Sequence, residues 1–209
     1  MMLKRLGFVI GALLALILFI PVGAANAVLP TLPSVATSQQ SLNALTVAAE
    51  GPMTGYSRSE FPTWITISGT CDTRETVLKR DGKNVVTDSA CKATSGSWTS
   101  AYDNVTITDS SSLDIDHMVP LAEAWRSGAA NWSIDDRKKF ANDLTRPQLL
   151  AVSASANRSK GDQDPAQWMP TNSSFRCDYT KAWIAVKSYW NLTIDSAEKS
   201  ALQKELNAC

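Results

Sequence analysis

Histidine is almost missing from this sequence: His117 is the one imidazole in 209 residues, so any chemistry that needs a neutral nitrogen base must use it. An excess of either charge is missing too. Twenty Lys and Arg face twenty Asp and Glu, which excludes a globally cationic polymer binder and leaves local basic patches open. No two of the four cysteines lie at the close spacing of a structural zinc site. No apolar run reaches the roughly 20 residues that span a bilayer, and there is no internal repeat or long low-complexity segment. What is present is an apolar fraction of 44%, enough for a real core and too much for wholesale disorder.

Lys4 and Arg5 precede an apolar run from Leu6 to Ile20, followed by Pro21 and a small-residue stretch ending Ala25-Asn26-Ala27. This is the three-part pattern of a signal peptide covering 1–27, with cleavage expected after Ala27 and export as the consequence. An uncleaved membrane anchor is the minority alternative. Loss of Lys4 and Arg5 gives a mature net charge of −2. Residues 28–38, with Pro30 and Pro33, read as a flexible linker, and 39–209 as a single domain. Cys71, Cys91, Cys177 and Cys209 all survive cleavage, and an even count in an exported chain reads as two disulfides. Three pairings are open. Cys71 with Cys91 and Cys177 with Cys209 is favoured, because each pair closes a local loop.

Patterning predicts a mixed α+β fold. A short helix is expected over Ser41–Ala49, and strands at Trp64–Ile67, Val85–Thr87 and Val105–Thr108, with a helix over Asp72–Arg80. Leu113–His117 alternates apolar and polar as a strand does, and Pro120 opens a helix that Gly128 ends. Ser133 with Asp136 caps a helix through Phe140. Gln148–Val152 is a short apolar strand, and Ser155 caps a brief helix that Gly161 stops. Phe175, Tyr179, Trp183, Val186 and Trp190 fall at helical spacing as a core stripe, and Asp195 with Glu198 opens a last helix carrying Leu202 and Leu206.

A lone histidine is by default structural, but this one has a carboxylate immediately before it, a hard-metal ligand type beside a general-base type. Asp114-Ile115-Asp116-His117-Met118-Val119-Pro120 is followed by Asn142, the strand Leu149–Val152, and Asn157-Arg158-Ser159-Lys160-Gly161-Asp162. In this order the motifs resemble the HNH endonuclease family. The variant is the one with Asn as third motif residue, as in GmrSD-type C-terminal domains and secreted actinobacterial HNH proteins. The HNH core would cover about 113–170. Cys71-Asp72-Thr73-Arg74 and Trp125-Arg126-Ser127-Gly128-Ala129 extend the resemblance over most of the mature chain.

The resemblance implies a ββα-metal core with an N-terminal β-containing extension and C-terminal helices. In it His117 would be the general base, Asp116 and Asn157 ligands of one divalent cation, and Asn142 the residue that holds the loop and the histidine-bearing strand. The family's usual final histidine is Asn157 here, which moves the expected metal from zinc to Mg²⁺, or Mn²⁺. Arg158 and Lys160 share the Asn157 helix and could reach a substrate phosphate. Arg74 is a weaker candidate, with a structural ion pair as the bland reading. Asp114 could orient a metal-bound water or pair with an arginine. Arg137, Lys138 and Lys139 read equally as a polyanion patch or a solvated helix face, and Trp125, Trp132 and Trp168 as packing rather than base stacking. The expected function is a secreted metal-dependent endonuclease acting on DNA. The rivals are a phosphodiesterase of RNA or an envelope polymer, and a non-catalytic surface binding module. Oligomeric state is not legible.

Overall fold

Ser34 opens the first helix, α1 (Val35–Ala44), by accepting the amide of Thr37 on its side chain. The computed structural model describes residues 29–209, so the expected signal peptide and its cleavage site lie outside the described residues. The helix begins six residues before the expected Ser41 and ends at Ala44. The stretch read as a linker therefore carries its first turn, with Ser38 and Leu42 fully buried. Pro33 and the small polar residues suggested a coil; packing of Leu42 in the core overrides that composition.

Thr66–Ser68 (β1) turns back antiparallel to Cys71–Asp72 (β2), and Asp72 caps Thr73–Asp81 (α2) through the amide of Glu75. Lys83–Thr87 (β3), Ala93–Thr99 (β4) and Thr106–Ile107 (β5) form a three-stranded antiparallel sheet. β4 has too few apolar residues to alternate. Trp98 holds it instead, buried and donating its indole N–H to the carbonyl of Leu78.

Leu113–His117 (β6) leads into Leu121–Arg126 (α3) and Ile134–Ala141 (α4), the latter capped by Ser133 as expected. Leu149–Ser153 (β7) then pairs antiparallel with β6, placing Asp116 opposite Leu150 and His117 opposite Leu149. Ala154–Lys160 (α5) follows with no loop, because Ser153 is both the last strand residue and the cap that accepts the amide of Ala156. The expected cap, Ser155, lies two residues later, inside the helix. Gly161 ends α5 at φ +55°, a left-handed conformation that a side chain would resist. Arg176–Tyr189 (α6) and Ser196–Asn207 (α7) complete the chain. Both favoured disulfides are present, Cys71–Cys91 and Cys177–Cys209.

The β6–β7 pair divides the interior. Leu113, Ile115, Leu149 and Ala151 face a smaller core with Val77, Leu78 and Trp98. Leu150 and Val152 face the main core with Phe140, Tyr179, Trp183 and Leu202, so the α6 stripe is core, as its periodicity predicts. The open edge of β7 is covered by α2 in place of a third strand: Asp81 accepts the amide of Ala151, and Arg80 donates to the carbonyl of Leu149.

Under the main core lies a buried ionic cluster. The Lys187 ammonium donates to Glu123 at 2.8 Å and Glu198 at 2.7 Å, and also to Ser127 and the carbonyl of Thr193. Arg126 also donates to Glu123, so Glu198 has Lys187 as its one cationic partner. Burial pushes Glu198 up to about 7, with Glu123 adding to the rise and Lys187 opposing it. The folded protein therefore keeps a proton that the unfolded chain releases near 4.5, so stability is full below that pH and falls as pH rises to about 7. Glu198→Gln, which removes the titrating carboxyl at the same size and keeps one acceptor oxygen, is expected to flatten the fall in Tm between about pH 5 and 8. Melting curves across that range check it, and a variant whose Tm declines in parallel with wild type would place the proton elsewhere.

Candidate active site

Two periodicities meet where α5 crosses β6. Asp114 and Asp116 are two apart on a strand and share a face; Asn157 and Lys160 are three apart on a helix and share another. Asn157 donates its amide N–H to Asp114 at 3.1 Å. Lys160 donates to both Asp116 oxygens, at 3.0 and 2.8 Å, and to the carbonyl of His117 at 2.8 Å. The Tyr102 hydroxyl completes the shell by donating to Asp116 at 2.5 Å. Burial raises the Asp116 carboxyl from its ordinary value, and Lys160 and Tyr102 work against that rise.

His117 follows Asp116 and is 4% exposed. Its Nε2 lies 3.0 Å from the carbonyl of Ala141. A carbonyl only accepts, so Nε2 carries the hydrogen and Nδ1 keeps the lone pair. Burial drives the imidazole down to about 3, with the nearby charges of Arg58 and Lys160 adding to the effect and the Ala141 carbonyl opposing it. The ring is neutral at neutral pH.

Asn142, next to Ala141, satisfies all four of its hydrogen-bonding positions. Its oxygen accepts from the Ile65 amide and the Thr73 hydroxyl, and its nitrogen donates to the carbonyls of Pro62 and Lys138. These bonds clamp both sides of Trp64, whose φ of +55° is unfavourable for an aromatic residue. Trp64 stacks on the His117 ring at 5.6 Å and 13°. One side chain thus fixes both the segment that supplies the acceptor for Nε2 and the segment that packs on the imidazole face.

Asp116, His117, Asn157 and Arg158 line one cleft of about 260 Å³, together with Tyr56, Arg58 and Asp162. A larger cavity of about 340 Å³, beside Leu32, Thr99 and Phe175, contains none of these groups. Among the residues expected to meet a phosphate, Arg158 is exposed and lines the cleft. Lys160 does not reach solvent: it is fully buried beneath Asp116, since the same helical spacing that brings Asn157 to Asp114 turns Lys160 inward. Arg74 lies outside the cleft lining, paired with Glu75 and donating to the carbonyls of Ser110 and Leu113, so it takes the structural reading. Arg137 is likewise structural, buried against Glu60 and the carbonyl of Trp132. Asp114 meets Asn157 rather than an arginine. Tyr56, Arg58, Trp64 and Tyr102 were not singled out from the sequence. Each comes from a loop outside the motif, and no local signal in the sequence marked it for the site.

The donors suit a hard divalent cation. Asn157 has its nitrogen held by Asp114, and no donor among the described residues reaches its oxygen. The Asp116 Oδ1 accepts one hydrogen bond and retains acceptor capacity. An oxygen-only pair of this kind fits Mg²⁺ or Mn²⁺ rather than zinc. A separate acidic group, Glu50, Asp164 and Asp195, shares none of these residues, and Asp195 caps α7.

A carboxylate, an oriented neutral imidazole and an asparagine on a strand–strand–helix unit define a nuclease-like site. Residues 72–205 match the C-terminal domain of the GmrSD restriction endonucleases, and the chain belongs to that HNH-type family. An "Uncharacterized secreted protein" of Arthroderma benhamiae is 57% identical over 180 residues, covering 86% of this chain and 88% of the relative. No solved structure matches. No helix among the described residues is long and apolar enough to cross a membrane. With the relative's name and the paired cysteines, this agrees with a secreted protein.

Lys160→Met is expected to destabilise the fold by about 3–5 kcal/mol, because it leaves the Asp116 carboxylate buried without its cation. Adding Asp116→Asn should recover part of that loss. Urea unfolding of the two variants tests this. A Lys160→Met protein as stable as wild type, weakened only in substrate binding, would return Lys160 to the phosphate role.

Proposed function

We propose that the protein is a secreted, metal-dependent HNH endonuclease that hydrolyses phosphodiester bonds in DNA. The observation that carries this reading is His117: neutral, tied at Nε2, stacked on Trp64, and lining a cleft with Asp116, Asn157 and an exposed arginine. The family supplies the nucleic-acid class of substrate, and its restriction-endonuclease name favours DNA.

Nδ1 of His117 takes the proton of the attacking water. The Ala141 carbonyl steadies the imidazolium that results, by accepting its Nε2–H. Arg158 meets a phosphate oxygen with its planar fork. Asp116 and Asn157 would hold Mg²⁺, with Mn²⁺ as substitute, and such a cation neutralises charge that builds on the phosphate and the leaving oxygen. Lys160 and Tyr102 keep Asp116 in place. Asn142 acts through the two segments it clamps and is a positioning residue rather than a ligand.

A plasmid-nicking assay with Mg²⁺ or with EDTA tests metal, chemistry and substrate together, with RNA and cell-envelope fractions as parallel substrates. Cleavage of plasmid that EDTA abolishes supports the reading. Turnover of RNA or envelope polymer alone would replace the substrate, and binding without turnover would make the protein a surface module. His117→Ala is expected to lose at least about 10²-fold in activity while remaining folded, since no other imidazole exists to substitute. Near-wild-type nicking by that variant would end the general-base assignment.

Metal titrations separate ligand from brace. Removing one oxygen donor weakens a loosely held cation, so Asn157→Ala should recover with excess Mg²⁺ or with tighter-binding Mn²⁺, and Asp116→Asn in part. Asn142→Ala misplaces His117 and Trp64, which more metal does not repair. Identical titration curves for all three would defeat the division of roles and leave the nuclease reading standing.

A further inference from the structure

The cleft has a wall that lies outside the family match. The match begins at residue 72, whereas Tyr56 and Arg58 line the same cleft as His117 and Asn157. Their segment is firmly held. Glu60 accepts from Arg137 on both its carbonyl and its carboxylate, at 2.9 Å each; Phe61 is 1% exposed; Asn142 bonds Pro62 and Ile65. The side chain of Arg58 is therefore presented by an anchored loop.

Of the eight described arginines, six donate from the guanidinium to a protein acceptor: Arg74, Arg80, Arg126, Arg137, Arg146 and Arg176. Arg58 and Arg158 make no hydrogen bond or ion pair from the guanidinium among the described residues, and these are the two that line the cleft with His117. A chain with balanced formal charge has little overall field to draw a polyanion, so contacts at the site itself must do it. The positive charge of Arg58 also helps to hold the neighbouring imidazole in its neutral form.

We propose that Arg58, supplied by the segment before the family-matched region, is a substrate-binding residue whose guanidinium takes a backbone phosphate of the nucleic-acid strand, with Arg158 of α5 taking a second in the same cleft. The proposal rests on the nuclease reading. It makes residues 56–65 part of the site, as the carrier of one phosphate contact and of the Trp64 ring that packs on His117. The contact is to phosphate, so it is the same for every base sequence.

The test uses the full mature chain carrying His117→Ala, which binds without cutting, and a short fluorescein-labelled DNA duplex followed by anisotropy over a KCl series in Mg²⁺. Adding Arg58→Ala should raise Kd on the order of tenfold at low salt and reduce the slope of log Kd against log salt by about one. Arg58→Lys keeps the charge and should restore most of the slope. Lys204→Ala, an exposed charge on α7 outside the cleft, should leave the slope within error. The Arg58 guanidinium makes no hydrogen bond or ion pair among the described residues, so the Tm of its variants should match the parent. An unchanged affinity and slope for Arg58→Ala, with plasmid still nicked by wild type, overturns the role of Arg58 and leaves the nuclease standing. If wild type cuts neither DNA nor RNA and the His117→Ala protein binds neither, the nuclease reading falls and the Arg58 proposal with it.

Discussion

An ammonium group cannot be left alone in a protein interior, and the fully buried Nζ of Lys160 sets the terms for everything around it. It needs acceptors on several sides, and it has them in both oxygens of Asp116 and the carbonyl of His117. That requirement fixes the distance and rotation of α5 against β6. Asp116 in turn accepts on Oδ2 from Tyr102 as well, which reaches it from the loop after β4. The helix, the strand and the loop are thereby locked together directly beneath the cleft. Asn157, one helical step back, falls against Asp114 as a consequence, and its oxygen is left without a donor.

A second constraint comes from the opposite side of His117. Asn142 orients two chain segments with one amide, and Arg137 reinforces one of them through Glu60. The loop from Tyr56 to Ile65 is thus as firmly placed as the strands. This explains how Trp64 can persist at positive φ: Asn142 bonds the backbone on either side of it, at Pro62 and Ile65, and the stack on His117 adds to that hold. The imidazole is consequently held by a hydrogen bond in its plane and an aromatic ring on its face. Such support from well-packed neighbours is what keeps a general base in one tautomer and one orientation.

The two-stranded sheet that carries the site would be too small to stand alone. Apolar residues bury both of its faces in separate cores, and α2 closes the β7 edge with Arg80 and Asp81. The two disulfides act at a distance from the cleft: one ties β2 to the turn before β4, the other the start of α6 to the chain end. Each closes a loop within its own region, one in the N-terminal ribbon and one across the C-terminal helices, and they suit a protein that works outside the cell.

Much of this was written in local sequence. Asp72, Ser133 and Asp195 were legible as helix starts because a cap acts within three residues, and the α6 stripe because a period of 3.6 needs no knowledge of what it packs on. The unique histidine, the carboxylate before it and the order of the later motifs singled out His117, Asp116, Asn142 and Asn157, and the cysteine spacing favoured the pairing that is present. Local pattern failed where contacts are long-range. β4 has no alternation, α1 starts among prolines, and the same N-R-x-K-G stretch points Arg158 outward and Lys160 inward, which spacing alone does not decide until the strand beneath α5 is in place. Tyr102 reaches Asp116 across 14 positions, and Trp64 reaches His117 across many more. Arg58 and Arg74 look alike in sequence as single basic residues near an aromatic or a cysteine. Only the fold assigns one to a cleft and the other to an ion pair, because which acceptors surround a guanidinium is a property of the packed chain and not of its neighbours in sequence.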